Sequence, residues 1–365
     1  MMKSEYAARL SRFLDALAER GLDGAVLDSR NDYFYLSGYT GSDSVAVLSV
    51  KGRKGWIVTD MRYTEEAEKT ANGMETLAWK VRFSQFVGTM LRKQRLRRVG
   101  FTPNTMTAAF YAGMQKEAPQ VKEWTDVEPD LSALRAVKSP AEVAAIRSAL
   151  ACQEKAFLTA KKRWRVGMTE TEIKNDLEWE MRRNGADNNS FETIVAVGAN
   201  ASLPHAHSGD RKVQAGKMLL VDFGAILGRY CSDLTRTLWA GEIPAVWKKR
   251  YLAVLEAQQA GIDAIRAGAF GKTVHQKAVD VFVRHKLADK FTHGLGHGVG
   301  LAVHESPRLS PAYAKPLVAG NIVTIEPGVY FPGSGGIRTE DMGLVTEDGA
   351  EILSSLPKSL DSAVF

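Results

Sequence analysis

The stretch His293-Gly-Leu-Gly-His297-Gly-Val-Gly-Leu-Ala-Val-His304-Glu305 places three histidines among glycines and apolar residues. Acidic residues stand in comparable surroundings nearby, in Val221-Asp222-Phe-Gly, Ser232-Asp233-Leu-Thr, Thr324-Ile-Glu326-Pro-Gly and Gly336-Ile-Arg338-Thr-Glu340-Asp. Buried carboxylates without partners are costly, whereas a pair of divalent cations would neutralise them. We therefore expect a site for two metal ions, formed by the carboxylates of Asp222, Asp233, Glu326 and Glu340 and by one imidazole.

The spacing of the first two carboxylates predicts a hairpin. If Leu227-Gly228 forms a two-residue turn, Asp222 and Asp233 lie directly opposite each other on paired strands. Like charges in that position repel each other. A cation bound between them would reverse the sign of the interaction.

The two glutamates repeat this arrangement. Glu326 and Glu340 are symmetric about Gly333, which lies in a turn-rich segment. A loop of odd length would place them opposite each other as well. Arg338 stands two residues before Glu340 and should share its face of the strand.

Four carboxylates and one imidazole form a ligand set dominated by oxygen, which suits Mn²⁺ or Co²⁺, with Zn²⁺ and Fe²⁺ as alternatives. Mn²⁺ is the expected ion. Taken singly, each carboxylate also fits a solvated turn or strand edge, and His275 and His285 are interpreted that way. The glycines at 294, 296, 298 and 300 lack the Gly-Lys-Ser/Thr ending of a phosphate loop, so we expect them to let the backbone pass close to the metals.

Composition limits the class of protein. The net charge of +6 is small for 365 residues, and the basic run Arg92–Arg98 has no interleaved aromatic residues, so no nucleic-acid partner is expected. Two cysteines fit a reducing compartment. No apolar run approaches the roughly 20 residues of a membrane span, and the N-terminus is charged throughout. We expect a cytoplasmic protein without a membrane partner.

Hydrophobic patterns predict two domains. Residues 1–132 alternate helical and strand-like segments, which indicates a smaller α/β domain that ends where the pattern breaks at 127–130. A capping box opens a new helix at Ser139, and Thr169 opens another. Residues 138–365 predict an α+β domain whose helices cover an antiparallel sheet. Its predicted helices are 140–163, 170–184, 246–266 and 271–288, and its predicted strands are 191–197, 218–239, 298–304 and 321–347.

At these residues the chain resembles the superfamily of methionine aminopeptidases, prolidases, aminopeptidase P and creatinase. The resemblance implies the pita-bread catalytic fold over 139–365, preceded by a creatinase-type N-terminal domain over 1–130. Tyr35-Leu-Ser-Gly-Tyr-Thr-Gly-Ser and Thr59-Asp-Met-Arg-Tyr are similar to stretches typical of that first domain. Methionine aminopeptidases usually lack it, which favours the proline-specific branch.

The resemblance also implies roles for individual residues. Asp222, Asp233, His297, Glu326 and Glu340 match the five metal ligands, with Asp233 and Glu340 bridging the two ions. General acid–base chemistry makes Glu326 the candidate to shuttle the water proton toward the leaving proline nitrogen. His293 and His304 match the histidines flanking the metal histidine, His205 matches a substrate-side histidine, and Arg338 matches an arginine beside the second glutamate. We expect His304, and less directly His293, to donate hydrogen bonds to the oxyanion or to hold the P1′ carbonyl of the substrate. Arg338 would bind a substrate carboxylate or orient Glu340, and a salt bridge within the site is the alternative. His207, a surface turn residue by its position, has no assigned role.

The resemblance implies a dinuclear-metal exopeptidase that hydrolyses the Xaa-Pro bond at the N-terminus of peptides through a metal-bridging hydroxide. An Xaa-Pro aminopeptidase acting on peptides with proline second is the first hypothesis, and an Xaa-Pro dipeptidase (prolidase) is the alternative. Ligand-capable residues at all five positions argue against a metal-free binding or creatinase-like relative. A homodimer is expected by the same resemblance.

Overall fold

The computed structural model describes residues 3–365, so the first two residues of the predicted N-terminal domain lie outside the described residues. Contacts divide the chain between Arg135 and Ala136 into two compact units. That division falls in the interval 133–137, which the sequence analysis left between its two domains.

The first unit is an α/β domain built on one mixed six-stranded sheet in the order β4-β3-β2-β1-β5-β6. Its strands are β1 Gly24–Leu27, β2 Val45–Ser49, β3 Lys54–Thr59, β4 Glu75–Ala78, β5 Arg98–Phe101 and β6 Glu123–Asp126. Its helices are α1 Lys3–Glu19, α2 Arg30–Ser37, α3 Thr64–Thr70, α4 Phe83–Lys93, α5 Ala108–Glu117 and α6 Glu128–Ala136, which ends at the division. Short apolar runs form the buried strands because both faces of the sheet are covered, as in Val45–Ser49, where every residue is buried.

The break predicted at 127–130 marks the start of a helix. Helix α6 begins at Glu128, and its second residue is a proline. Proline is tolerated in the first turn of a helix, where its missing N–H has no intrahelical partner. The Asp126 carboxylate accepts a hydrogen bond from the Glu128 N–H at 2.8 Å, which satisfies one of the exposed donors.

The second unit is an α+β domain in which every pair of strands is antiparallel. Its helices are α7 Pro140–Lys161, α8 Glu170–Arg183, α9 Ala245–Ala264 and α10 Gly271–Arg284, with 3₁₀ turns at Gly198–Ser202 and Ala288–Lys290. Its strands are β7 Asn188–Asn189, β8 Ile194–Val197, β9 Met218–Phe223, β10 Ala225–Leu227, β11 Tyr230–Cys231, β12 Leu234–Trp239, β13 Gly296–Gly298, β14 Glu305–Leu309, β15 Ile322–Ile325, β16 Gly328–Phe331, β17 Gly335–Arg338, β18 Asp341–Val345 and β19 Ala350–Ile352. This is the pita-bread architecture, and it confirms the predicted fold class.

Two sheets hold the central strands, β12-β9-β8 and β14-β13-β15-β18-β19. Apolar residues of α9 and α10, such as Val254, Ala257 and Val281, are fully buried in one core cluster with Leu220 and Ile325 of these sheets. Both predicted capping boxes are confirmed, at Ser139 with Glu142 and at Thr169 with Glu172. In residues 3–365 no helix combines the length and the apolarity needed to cross a membrane.

The predicted strand 298–304 is wrong. Strand β13 ends at Gly298, a loop follows, and β14 begins at Glu305. The chain folds back so tightly that a Cβ on Gly298 would lie 2.2 Å from the Ser306 carbonyl oxygen. A Cβ on Gly300 would lie 2.5 Å from the Glu305 carboxylate. These glycines therefore allow a tight hairpin between β13 and β14, and His304 lies in its loop.

Candidate metal centre and active site

The hairpin that carries the two glutamates has the predicted register. Ile325 pairs with Asp341, and further along the same hairpin Gly328 pairs with Arg338. Glu326 and Glu340 are thus opposite each other between these two pairs, as their symmetry about Gly333 requires. Gly333 takes a φ of +73°, which a side chain would disfavour. The prediction for this hairpin is confirmed.

The register predicted for the other hairpin is wrong. Its turn is Gly228-Arg229, with Leu227 paired to Tyr230 and Asp222 paired to Thr235. Both turn residues have positive φ, 57° for Gly228 and 77° for Arg229, as a type I′ turn requires. Arginine rarely adopts that conformation, so no residue preference marks Gly228-Arg229 as the turn.

The observed pairing differs from the predicted one by two residues. A two-residue shift in register leaves each side chain on its original face of the sheet. Asp233, two residues before Thr235, therefore lies on the same face of the hairpin as Asp222. The two carboxylates interact in the structure: burial, then the charge of Glu340 and then that of Asp222 raise the pKa of Asp233 well above its ordinary value. Asp222 and Asp233 are therefore near each other, as predicted, but they are not directly opposite each other.

Asp233, His297 and Glu340 form a compact buried group. One potential ligand atom from each lies within 4.8 Å of the other two. The His297 Nε2 atom lies 3.6 Å from Asp233 Oδ2 and 3.3 Å from Glu326 Oε1. His297 Nδ1 is 3.1 Å from the Gly298 carbonyl, an acceptor, so this nitrogen carries the proton and Nε2 keeps its lone pair. Burial lowers the pKa of His297 to about 3, which keeps the ring neutral.

Three carboxylate oxygens of the site are buried without a hydrogen-bond partner among the described residues: Asp222 Oδ1, Asp233 Oδ1 and Glu340 Oε1. Burial raises the pKa of Glu340 well above its usual range and that of Glu326 to about 7. Unsatisfied carboxylate oxygens are expensive inside a protein. Divalent cations would supply the missing partners, so these residues fit a metal centre.

Two threonines orient the candidate ligands, and sequence reasoning did not assign them this role. Thr235 Oγ1 donates to Glu340 Oε2 at 2.7 Å. Thr324 Oγ1 accepts from the His297 N–H at 3.1 Å and donates to Glu326 Oε1 at 3.2 Å. Each threonine stands two residues from a predicted ligand in the chain, Thr235 after Asp233 and Thr324 before Glu326, and that spacing was the available signal.

Arg338 is buried, and its contacts are with the protein. Its Nη2 forms an ion pair with Asp222 Oδ2 at 2.5 Å, and its Nε donates to Thr235 Oγ1 at 3.1 Å. Its Nη1 donates to the Tyr330 hydroxyl at 2.7 Å. Of the three expected roles, the structure thus contains the salt bridge within the site, formed with Asp222.

His293 is held at both ring nitrogens. Its Nδ1 donates to the Gly294 carbonyl at 2.8 Å, so its Nε2 accepts from the Tyr330 hydroxyl at 3.0 Å. Burial lowers the pKa of His293 to about 4 and raises that of Tyr330 to about 12. Tyr330 therefore links His293 to Arg338. Sequence reasoning missed it because an apolar strand with one tyrosine shows no catalytic pattern.

A cavity of about 610 Å³ opens onto these residues. Its wall includes the five predicted ligands together with His205, His207, His293, His304, Arg308 and Arg338. The His304 ring centroid lies 4.4 Å from that of His297. His205, His207 and His304 are exposed side chains of the wall. His207, which the sequence left without a role, thus faces the same cavity as the ligands.

Arg308 was also missed by the sequence analysis. It lies on β14 opposite His297, and its exposed side chain lines the cavity. Within residues 3–365 its guanidinium has no ion pair or side-chain hydrogen bond. Its charge contributes to lowering the pKa of His297, after burial and His304, and that of His304, after burial. No pattern in the sequence around Arg308 marks it, because its position depends on the tight loop before β14.

Comparisons with known proteins agree with this arrangement. Residues 144–347 match the sequence model described as metallopeptidase family M24, and residues 9–137 match the creatinase/prolidase N-terminal domain. An uncharacterized peptidase of Bacillus subtilis (strain 168) is 35% identical over 96% of this chain and 99% of its own length.

Two solved structures extend the similarity to the whole chain. One is an Xaa-Pro dipeptidase from Bacillus anthracis, with a TM-score of 0.93, 32% identity and coverage of 99% of this chain and 100% of that one. The other is an X-Pro aminopeptidase from Thermotoga maritima MSB8, with a TM-score of 0.89, 31% identity and coverage of 98% and 99%. These relatives carry both names that the sequence analysis left open.

Proposed function

The chain belongs to metallopeptidase family M24, and we propose that it is an Xaa-Pro dipeptidase that depends on two metal ions. The observation that carries this proposal is Arg308, an exposed cation on the wall of the ligand cavity with no partner in the described chain. The aminopeptidase activity expected from the sequence is the competing outcome of the experiment below.

The argument from Arg308 is electrostatic. An Xaa-Pro dipeptide ends in a carboxylate directly after the proline ring, and a guanidinium binds a carboxylate through two parallel hydrogen bonds. In a longer peptide that carboxylate is replaced by a neutral amide, so Arg308 would gain no ionic partner. The cation therefore favours substrates that end at proline.

Asp222, Asp233, His297, Glu326 and Glu340 would hold the two metal ions, and their oxygen-rich set supports Mn²⁺. When bound, such ions polarise the scissile carbonyl and lower the pKa of a water molecule. The orphaned oxygens of Asp222, Asp233 and Glu340 support this assignment.

The residues of the chain itself supply binding and proton transfer. Glu326, held through Oε1 by Thr324, would take a proton from the attacking water and pass it to the leaving proline nitrogen. His304, whose ring makes no hydrogen bond within residues 3–365, would donate one to the developing oxyanion. His293 would act through its fixed orientation beside Tyr330, and His205 would contact substrate from the cavity wall.

The test compares Met-Pro with Met-Pro-Ala in Mn²⁺-reconstituted protein, for the wild type and for Arg308→Met. We expect the wild type to prefer the dipeptide. Arg308→Met should raise KM for Met-Pro by roughly tenfold or more, since charge-assisted hydrogen bonds contribute about 1.5–3 kcal/mol, and leave KM for Met-Pro-Ala unchanged.

The conservative variant Arg308→Lys is the control for charge. It keeps the cation but loses the planar fork of donors, so it should recover part of the preference for Met-Pro. Equal turnover of both peptides by the wild type, with no effect of Arg308→Met, would establish the aminopeptidase instead. Homodimer formation stays a prediction, which light scattering of the purified protein tests.

A further inference from the structure

An ionic cluster of Arg236, Asp341 and Lys358 lies beside the candidate metal ligands, with Arg236 and Asp341 buried and Lys358 partly exposed. Arg236 and Asp341 are each only 2% exposed, and Arg236 Nη2 contacts Asp341 Oδ1 at 2.8 Å. Lys358 comes from the C-terminal segment, and its Nζ contacts Asp341 Oδ2 at 2.5 Å. Burying charges is costly unless their partners are well placed, and here both Asp341 oxygens are paired.

Arg236 connects this cluster to Glu340. Its Nη1 donates to the main-chain carbonyls of Glu340, at 2.5 Å, and of Thr235, at 2.9 Å. Thr235 in turn accepts the Glu340 N–H at 3.1 Å through its carbonyl and donates to Glu340 Oε2 through its hydroxyl. One guanidinium thus holds the two backbone segments that orient the Glu340 carboxylate.

Lys358 has a second contact, with Gln258, and Gln258 in turn bonds to the backbone next to both glutamates. The Lys358 Nζ donates to Gln258 Oε1 at 2.7 Å, which agrees with an orientation of the fully buried Gln258 amide in which Nε2 faces the hairpin. Gln258 Nε2 donates to the carbonyl of Ile325 at 2.9 Å and to that of Thr339 at 3.2 Å. Ile325 and Thr339 directly precede Glu326 and Glu340 in the chain.

We propose that Lys358 is a positioning residue for the metal centre. It touches no candidate metal ligand, but it holds Asp341 and Gln258, which hold the backbone beside Glu326 and Glu340. This inference rests on the proposed function, because it assumes that these glutamates bind metal. The C-terminal segment then helps to position the metal ligands, and loss of its contacts should first weaken metal binding.

The experiment measures Mn²⁺ binding by titration calorimetry on the metal-stripped full-length protein. Lys358→Met should weaken the binding of at least one ion about tenfold or more, the range typical of residues that orient metal ligands. Lys358→Arg should restore part of that affinity. The matched control is Lys161→Met, because Lys161 Nζ holds the Ser362 carbonyl of the same C-terminal segment at 2.7 Å without contact to Asp341 or Gln258.

The outcomes separate the two proposals. If Lys358→Met and Lys161→Met weaken binding equally, general loosening of the C-terminal segment explains the effect and the inference fails. Unchanged affinity in Lys358→Met also overturns it. Should Lys358→Met not fold, Lys358→Gln, which keeps a hydrogen-bond donor but not the charge, takes its place. A wild-type protein that binds no Mn²⁺ would instead overturn the proposed function.

Discussion

Replacing Arg338 by methionine should destabilise the metal-free protein more than the metal-loaded one. The change removes the ion pair with Asp222, whose side chain is 12% exposed, and leaves that carboxylate without a counter-charge. Removing one partner of a buried ion pair costs about 3–5 kcal/mol. We therefore expect the free energy of unfolding of Arg338→Met in EDTA to fall by that amount.

Divalent metal should remove part of this loss, because a cation near Asp222 takes over the neutralising role of the guanidinium. The hydrogen bonds to Tyr330 and Thr235 stay lost, at about 0.5–1.5 kcal/mol each. The deficit of Arg338→Met should consequently shrink by about 2 kcal/mol when Mn²⁺ is added at equal saturation of both proteins.

Urea unfolding followed by tryptophan fluorescence, in EDTA and in Mn²⁺, measures both quantities. Arg147→Met is the matched control, since Arg147 pairs with Glu351 at the surface, with 40% of its side chain exposed. Surface pairs contribute about 0–1 kcal/mol, so this variant should differ little from the wild type in either condition. An Arg338→Met deficit that is the same with and without Mn²⁺ would refute the reasoning, as would a deficit no larger than that of the control.

Two further predictions concern the same site. Burial raises the pKa of Glu326 from 4.5 to about 7, so the folded metal-free protein keeps a proton that the unfolded chain has already released. As the pH rises from 5 to 8, the free energy of unfolding of the metal-free wild type should therefore fall by about 2 kcal/mol relative to Glu326→Gln, which has no carboxyl to titrate. In urea unfolding, Mn²⁺ should reduce this dependence of stability on pH. Tyr330→Phe removes the hydroxyl between His293 and Arg338, so it should lower the free energy of unfolding by about 1–3 kcal/mol. It should also lower kcat, while the Mn²⁺ affinity measured by calorimetry stays within twofold of the wild type. Parallel pH profiles in the first case, or an unchanged kcat in the second, would contradict these expectations.

The success and failure of the two hairpin predictions have a common physical origin. The glutamate hairpin turns at Gly333, a residue that takes a φ of +73° without strain, so symmetry alone located the turn. The aspartate hairpin turns at Gly228-Arg229, and Arg229 accepts a φ of 77° that its own preference does not indicate. Strand pairing on either side imposed that conformation, and no local rule anticipates it.

The residues that sequence reasoning missed act across long distances in the chain. Thr235 donates a hydrogen bond to Glu340, 105 positions away, and Arg236 Nη2 donates to the carbonyl of Leu356, 120 positions away. Tyr330, Gln258 and Lys358 each look ordinary in their own segment. Their roles arise only from the neighbours that folding gives them.

The amino-acid sequence by itself determined the candidate ligand types, the α+β class and the glutamate pairing, because turn chemistry, helix capping and strand alternation are local properties. Tertiary structure alone decided which partner each group has. It paired Arg338 with Asp222, left three carboxylate oxygens of the described site unsatisfied and exposed Arg308 in the cavity. Burial then raised the pKa of Asp233 and Glu340, which in water would be ordinary acids.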